Sequence, residues 1–489
     1  MSIPFDNSFA ALGSPFSTAQ SPDPVKKPSL ITVNDELAKQ LGIDPRWLAS
    51  REGVDVLAGN RVAAGSQPVA AAYAGHQFGH FNPQLGDGRA VLLGEVVDDQ
   101  GQRLDLQLKG SGRTDWSRGG DGRSPLGPVL REYLVSEAMA ALGVPSTRAL
   151  AAVTTGEPVM RDGFEPGAIL TRVASSHLRV GTMQYFAARE DRQSLATLVS
   201  YVLERHYSDK VDAENPALAL LECVISAQAR LIARWQLLGF VHGVMNTDNM
   251  LLCGETVDYG PCAFMEEYHP DTLFSSIDQQ GRYAYSNQPG IAHWNLARLA
   301  EALLPLINDD TDTAVGQAKK ALSQFPMLLE QAYQEGLGKK LGLSEMTAAD
   351  NKLADELFAA LQEDQADFTL AFRFLADAIK PDAAQSGAGE LFSPGKQLLE
   401  WLPRWMQRQQ SDTVDPEERQ ERMFAANPAF IPRNHLVQRA IEEGEKGDFA
   451  LFHRLLERLA LATDYSPDDR DLALPAQPQE RVLRTFCGT

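Results

Sequence analysis

The stretch from Val241 to Gly260 reads V-H-G-V-M-N-T-D-N-M-L-L-C-G-E-T-V-D-Y-G and constrains this chain more than any other. His242 and Gly243 open a polar loop that ends in Asp248 and Asn249. The apolar run Met250–Leu252, and then Val257–Gly260, predict two short strands around a turn. Asn249 and Asp258 then stand at the ends that face one site. An amide oxygen beside a carboxylate is a hard-oxygen pair, suited to Mg²⁺ or Mn²⁺ carrying a nucleotide's phosphates.

The spacing from His242 to Asn249, followed by Asp258-Tyr259-Gly260, resembles the H-x-D-x-x-x-x-N and D-F-G loops of protein kinases. One position departs from that pattern. Val244 stands where a kinase carries its catalytic Asp, and valine cannot accept a proton. The nearest carboxylate is Asp248.

Upstream, Gly86-Asp87-Gly88 predicts a tight turn, and Ala90–Val97 a strand. Arg89, directly after the glycines, is placed to reach a phosphate. In Arg103–Lys109 the apolar residues Leu104, Leu106 and Leu108 alternate with Asp105, Gln107 and Lys109, which predicts a half-buried strand ending in a lysine. The segment Gly110–Arg123 is polar, glycine-rich and arginine-bearing, as expected of a loop over an anionic ligand. Ser124 and Pro125 predict the start of a helix that Gly143 and Pro145 close. Its apolar face is Leu130, Tyr133, Leu134, Ala138, Ala141 and Leu142. Glu132 lies off that stripe, free to pair with Lys109, with Glu137 as a rival. Gly167–Val173 predicts another strand. Arg172 and Arg179 flank its exit, suited either to gripping phosphate oxygens or to salt bridges within an acidic protein.

Composition narrows the partners. Lys+Arg 45 against Asp+Glu 65 gives a net charge of −20, which argues against nucleic acid as the main partner. The four cysteines, Cys223, Cys253, Cys262 and Cys487, form no C-x-x-C pair and suggest a reduced, intracellular protein. Cys487 is the one candidate for redox chemistry. No stretch approaches 18 consecutive apolar residues, so neither a membrane span nor a secretory signal is expected, and the cytoplasm follows by default. Helices are expected over Asn34–Leu41, Ser194–His206, Ala217–Leu238, Thr313–Leu343, Met346–Ile379, Gly395–Gln410, Asp415–Ala426 and His435–Ala462. Residues 463–489 are expected to be irregular.

Long motifs make the likeness more specific. They are Tyr73–Gly79 (Y-A-G-H-Q-F-G), Asn82–Arg89, Leu108–Gly112, Asp121–Glu132, His242–Asn249, Asp258–Pro261, Gln288–Leu303, Asn427-Pro428 and Pro432–Asn434. On these the chain resembles the SelO family, protein adenylyltransferases once grouped with pseudokinases. The resemblance implies an α+β, kinase-like two-lobed fold. Residues 1–70 would be a lead-in packing on the first lobe. Residues 71–165 would form the N-lobe with nucleotide-binding loops, 166–310 the C-lobe with catalytic and metal loops, and 311–489 a helical extension. It also implies that ATP binds flipped, so that AMP passes to a Ser, Thr or Tyr hydroxyl of a protein, or of the enzyme itself, and pyrophosphate leaves. UTP in place of ATP is left open.

Carried over by position, Gly86, Gly88, Arg89, Lys109, Asp121, Gly122, Arg172, Arg179 and Asp258 match nucleotide-binding residues. Glu132 matches the lysine's partner, Asn249 and Asp258 the Mg²⁺ or Mn²⁺ ligands, and Asp248 the proton acceptor. Two other readings fit the same residues. One is a kinase using the γ-phosphate, and the other is an inactive nucleotide-binding scaffold, suggested by Val244.

Overall fold

A computed structural model describes residues 3–380 and 391–486. It is α+β. The strands are β1 (Ser17–Ala19), β2 (Ser29–Val33), β3 (Val69–Ala71), β4 (Gly75–Gln77), β5 (His80–Asn82), β6 (Ala90–Val97), β7 (Arg103–Lys109), β8 (Ser124–Pro125), β9 (Arg148–Met160) and β10 (Phe164–Ala174). An antiparallel sheet runs β1-β3-β6-β7-β10-β9-β2, with β8 pairing β10. Both edges of this sheet come from the first 33 residues, so the lead-in is woven into it.

Strands β6 and β7 fall on the expected residues, but β7 is not half-buried. Leu104, Leu106 and Leu108 pack behind it on Leu37, Leu41 and Leu57 of the N-terminal helices. Asp105, Gln107 and Lys109 are buried on the other face. The period of two therefore separates an apolar interior from a charged one.

The helix Leu126–Ala141 covers the sheet, with Leu130 and Leu134 in a core shared with Leu170, Leu436 and Leu455. Its start differs from expectation. Ser124 does not cap it, because Ser124 and Pro125 pair with Ala168 and Gly167 as β8, and Pro125 becomes the residue before the helix.

Four other expected elements are corrected. After Asn249 there is no strand pair: Leu251 and Thr256 make isolated bridges to Arg179 and Ser146, and Asp258 takes φ +68°, which no strand accommodates. The long helices break where the backbone cannot continue. Phe325–Leu341 starts anew after Ser323, and Phe368–Ala378 restarts after Gln365 turns to φ +49° and Asp367 accepts from Leu370 N. Likewise Asn434–Gly444 is separated from Ala450–Leu459 by Gly447 at φ +88°.

Pro216–Leu238 is, among the described residues, the one helix long and apolar enough to cross a membrane, although its sequence holds no uninterrupted apolar run of that length. Of its apolar window, 56% is buried inside the fold. It packs on Gln288–Ile307 and Phe325–Leu341, as a core helix does. Near the C-terminus Thr485 N bonds to Phe274 O at 2.8 Å, and Ser276 N to Thr485 O at 3.0 Å. Cys487 lies outside the described residues.

Lys340 is buried in the helical region, 4.1 Å from the centre of the Phe372 ring. Burial pushes its ammonium down to about 7. The unfolded chain therefore binds a proton that the folded chain resists, and this penalty is full below pH 7 and fades as pH approaches the ordinary lysine value. Lys340→Met is expected to raise Tm by a few degrees at pH 7. The gain should shrink toward zero by about pH 10, as thermal melts across that range would show.

Candidate active site

Hairpin β4–β5 lies across the loop that carries Asp248. His76 N donates to Thr247 Oγ1 at 2.7 Å, Phe78 N to Asn246 Oδ1 at 3.1 Å, and Gln77 Nε2 to Asp248 Oδ2 at 3.2 Å. From below, Asn295 Nδ2 donates to Met245 O, and His242 bonds Val257 O through Nε2. Thr247–Asn249 closes a 3₁₀ turn. Gly75 is required here, since a Cβ would come within 2.8 Å of Asp248 Oδ1. That oxygen is buried without a partner. Burial raises the Asp248 carboxyl to about 6, partly offset by Arg179.

Behind Asp258 four charges meet. Glu132 Oε2 accepts from Lys109 Nζ at 2.6 Å, and its Oε1 accepts from Arg172 Nε at 2.8 Å. Asp258 Oδ1 accepts from Lys109 Nζ and, at 3.2 Å, from Arg172 Nη2. Burial would raise both carboxyls. For Glu132 this is outweighed by Arg172 and Lys109, and for Asp258 by Lys109, Arg172 and Arg89, so both are held low and ionised. Glu137 is no rival for Lys109, because it pairs with Arg148 at 2.7 Å.

Arg172, near the end of β10, and Arg179, beyond it, are both committed inside the protein. Arg172 is fully engaged by Glu132, Gln107 and Asp258. Arg179 donates to the Asp248 carbonyl at 2.8 Å and to His177 O, and stacks 4.3 Å from the Tyr73 ring centre. They buttress the loops in this structure.

In front lies a cavity of about 450 Å³. Gly86, Gly88, Arg89, Asp121, Gly122, Asp248, Asn249 and Asp258 all line it. Lys109, Glu132, Arg172 and Arg179 stand outside its lining, one shell deeper. The glycines follow from packing. A Cβ on Gly86 would strike the Trp116 ring at 2.2 Å, and one on Gly122 (φ +68°) would meet Gly112 O at 1.9 Å. Asp121 is tied to Arg161 at 2.9 Å. Arg161, Trp116 and Gln77 are cavity residues to which the sequence alone assigns no role.

Asn249 Nδ2 donates to Val244 O at 3.0 Å, so the amide's oxygen remains as an acceptor. Asp258 Oδ2 takes no part in the bonds to Lys109 and Arg172. Among the described residues no group of three or more His, Cys, Asp or Glu is placed to hold a metal. Two oxygen donors, completed by phosphate oxygens, are nonetheless a fitting set for Mg²⁺ or Mn²⁺.

A sequence profile described as "Protein adenylyltransferase SelO" matches residues 1–460. The chain belongs to the SelO family. Proteins named "Protein nucleotidyltransferase YdiU" are similar over the whole length. That of Nitrobacter hamburgensis is 55% identical over 487 residues, covering 100% of this chain and 96% of its own. That of Rhodopseudomonas palustris (strain BisB5) is 55% identical over 488, covering 100% and 99%. As a SelO-family member the chain is a nucleotidyltransferase.

For this SelO-family site the glycine packing has a direct consequence. Gly122→Ala drives its Cβ into the Gly112 backbone and so distorts the 110–123 loop over the cavity. The variant is expected to bind ATP on the order of tenfold more weakly. Titration with ATP and a thermal melt should show the affinity falling while Tm changes by only a few degrees.

Proposed function

We propose that this protein transfers AMP from ATP to a Ser, Thr or Tyr hydroxyl of a protein, itself among them, and releases pyrophosphate. The observation that carries the reading is the placement of Asp248. It lines the cavity beside Asn249 and Asp258, whereas the other lining carboxylate, Asp121, is tied to Arg161, and the kinase base position is filled by Val244. ATP lies flipped, with its outer phosphates toward Gly86–Arg89, Asp121-Gly122 and the cations behind Asp258. Lys109 and Arg172, held by Glu132, put positive charge where the leaving pyrophosphate develops its negative charge. Arg179 fixes the Asp248 loop.

In the reaction the acceptor oxygen bonds to the α-phosphorus and the bond from that phosphorus to the β-bridging oxygen breaks. The hydroxyl proton passes to Asp248. A carboxyl raised to about 6 is ionised at neutral pH, yet more basic than an ordinary aspartate. A Mg²⁺ or Mn²⁺ held by Asn249 and Asp258 would neutralise phosphate charge. The supporting architecture is a kinase-like pair of lobes divided near residue 165, with the helical region after residue 310 as an extension. The setting is cytoplasmic, in keeping with the free thiols of Cys223, Cys253 and Cys262.

ATP labelled at the α-phosphate is expected to mark acceptor protein or the enzyme itself when Mg²⁺ or Mn²⁺ is added. Label arriving only from the γ-position would instead establish a kinase. Tight ATP binding with no transfer from either would establish a scaffold. In parallel, Asp258→Ala should abolish transfer while circular dichroism stays unchanged, and full activity in that variant would remove Asp258 from the metal site.

A further inference from the structure

Among the described residues, four arginines line the cavity in front of Asp258: Arg89, Arg118, Arg123 and Arg161. Two are already engaged. Arg161 pairs with Asp121 at 2.9 Å, and Arg123 donates to Asp23 O at 3.2 Å and to Pro24 O at 3.1 Å. The side chains of Arg89 and Arg118 make neither a hydrogen bond nor an ion pair with any described residue. On a chain of net charge −20, two such cations at one cavity call for an anion from outside the protein.

Arg118 is the most exposed of the four. It stands at the tip of the 110–123 loop, with its backbone in the left-handed region at φ +49°, where a residue other than glycine is strained. The segment before it is fastened to the turn that leads into Arg89. Thr114 Oγ1 donates to Asp87 O at 2.7 Å, Ser117 Oγ donates to Gly88 O, and Ser117 O accepts from Gly120 N at 2.7 Å. A Cβ on Gly88 would lie 2.8 Å from Trp116 O, so backbone packs on backbone there. The tip that carries Arg118 is therefore held at the cavity by its neighbours.

We propose that Arg118 grips the terminal phosphate of ATP, as the outer half of a clamp whose inner half is Arg89. This rests on the transfer reading above. Arg89 is half-buried, and its charge helps to hold the Asp258 carboxyl low, so it stands at the inner end. A triphosphate with its α-phosphorus at Asn249 and Asp258 runs outward past Arg89 and ends at Arg118. No bond to the γ-phosphorus forms or breaks in the transfer. It departs as half of the pyrophosphate, so Arg118 holds the leaving group before and after the α-phosphorus–oxygen bond breaks. A planar guanidinium meets two phosphate oxygens at once. One side chain thereby distinguishes ATP from ADP.

The test is calorimetric binding with Mg²⁺ and no acceptor protein. The full-length protein is titrated with α,β-methylene-ATP, which cannot release pyrophosphate, and with ADP, AMP and inorganic pyrophosphate. Arg118→Asn is the informative variant, because asparagine accepts a left-handed backbone and the loop keeps its shape. It is expected to weaken the ATP analogue and pyrophosphate on the order of tenfold, with ADP and AMP unchanged. Arg118→Lys should fall between wild type and Arg118→Asn, and Tm should hold in both variants. Equal affinity of wild type and Arg118→Asn for the ATP analogue, or an equal loss for the analogue and ADP, would overturn the proposal and leave α-phosphate transfer intact. A loss for AMP with pyrophosphate unaffected would put the nucleoside under this loop and overturn the flipped orientation as well.

Discussion

Two cations and two carboxylates, Lys109 and Arg172 against Glu132 and Asp258, meet where β7, β10, the Leu126–Ala141 helix and the loop at Asp258 converge. Each group alone would be too costly to bury. Together they are neutral, and each of the four groups has a partner at hydrogen-bond distance. This requirement fixes much of the neighbourhood. It sets the register that places Leu170 opposite Lys109 and Arg172 opposite Gln107. It sets the phase of the helix at Glu132. It also holds Asp258 at φ +68°, a conformation that breaks any strand there.

The same charged interior continues behind the site. Asp105, on the face of β7 that carries Lys109, bonds the backbone and ring of His177 at 2.9 Å each and accepts from Arg205 at 2.6 Å. His177 O in turn receives Arg179, which holds the Asp248 carbonyl. A run of contacts therefore links the sheet to the loop of the proposed proton acceptor. Asp248 sits between this support and the hairpin bearing Gln77, in a space that only glycine at position 75 leaves open. Burial is the main cause that raises its carboxyl, with a smaller push from the Asp258 charge.

The sequence made legible whatever depends on local periodicity. The glycine turn before β6 and the alternation in β7 located both strands to the residue, and helical phase left Glu132 free to partner Lys109, with Glu137 as a rival. The loop ending in Asp248-Asn249 announced itself by its spacing. What tertiary packing decides stayed hidden. Strand β9 mixes Ala, Thr and a Glu157-Pro158 step, so no clean alternation marks it, and β1 and β2 lie in a Pro/Ser-rich lead-in. Helix breaks at Gln365 and Gly447 depend on backbone reversals with weak local markers. Arg172 and Arg179 read equally well as phosphate ligands or internal ion pairs, and only burial shows that both are engaged within the protein. Gln77 sits in a recognisable motif, but its bond to Asp248 spans 171 residues.

The central claim concerns the direction in which the nucleotide lies. A crystal structure of the protein with an unreactive ATP analogue and Mg²⁺ tests it most directly. The account predicts the α-phosphorus beside Asn249, Asp258 and Asp248, with the outer phosphates toward Arg89 and the Lys109–Arg172 cations. An analogue with its purine buried between the sheet and the helices, and its γ-phosphorus beside Asp248, would contradict it.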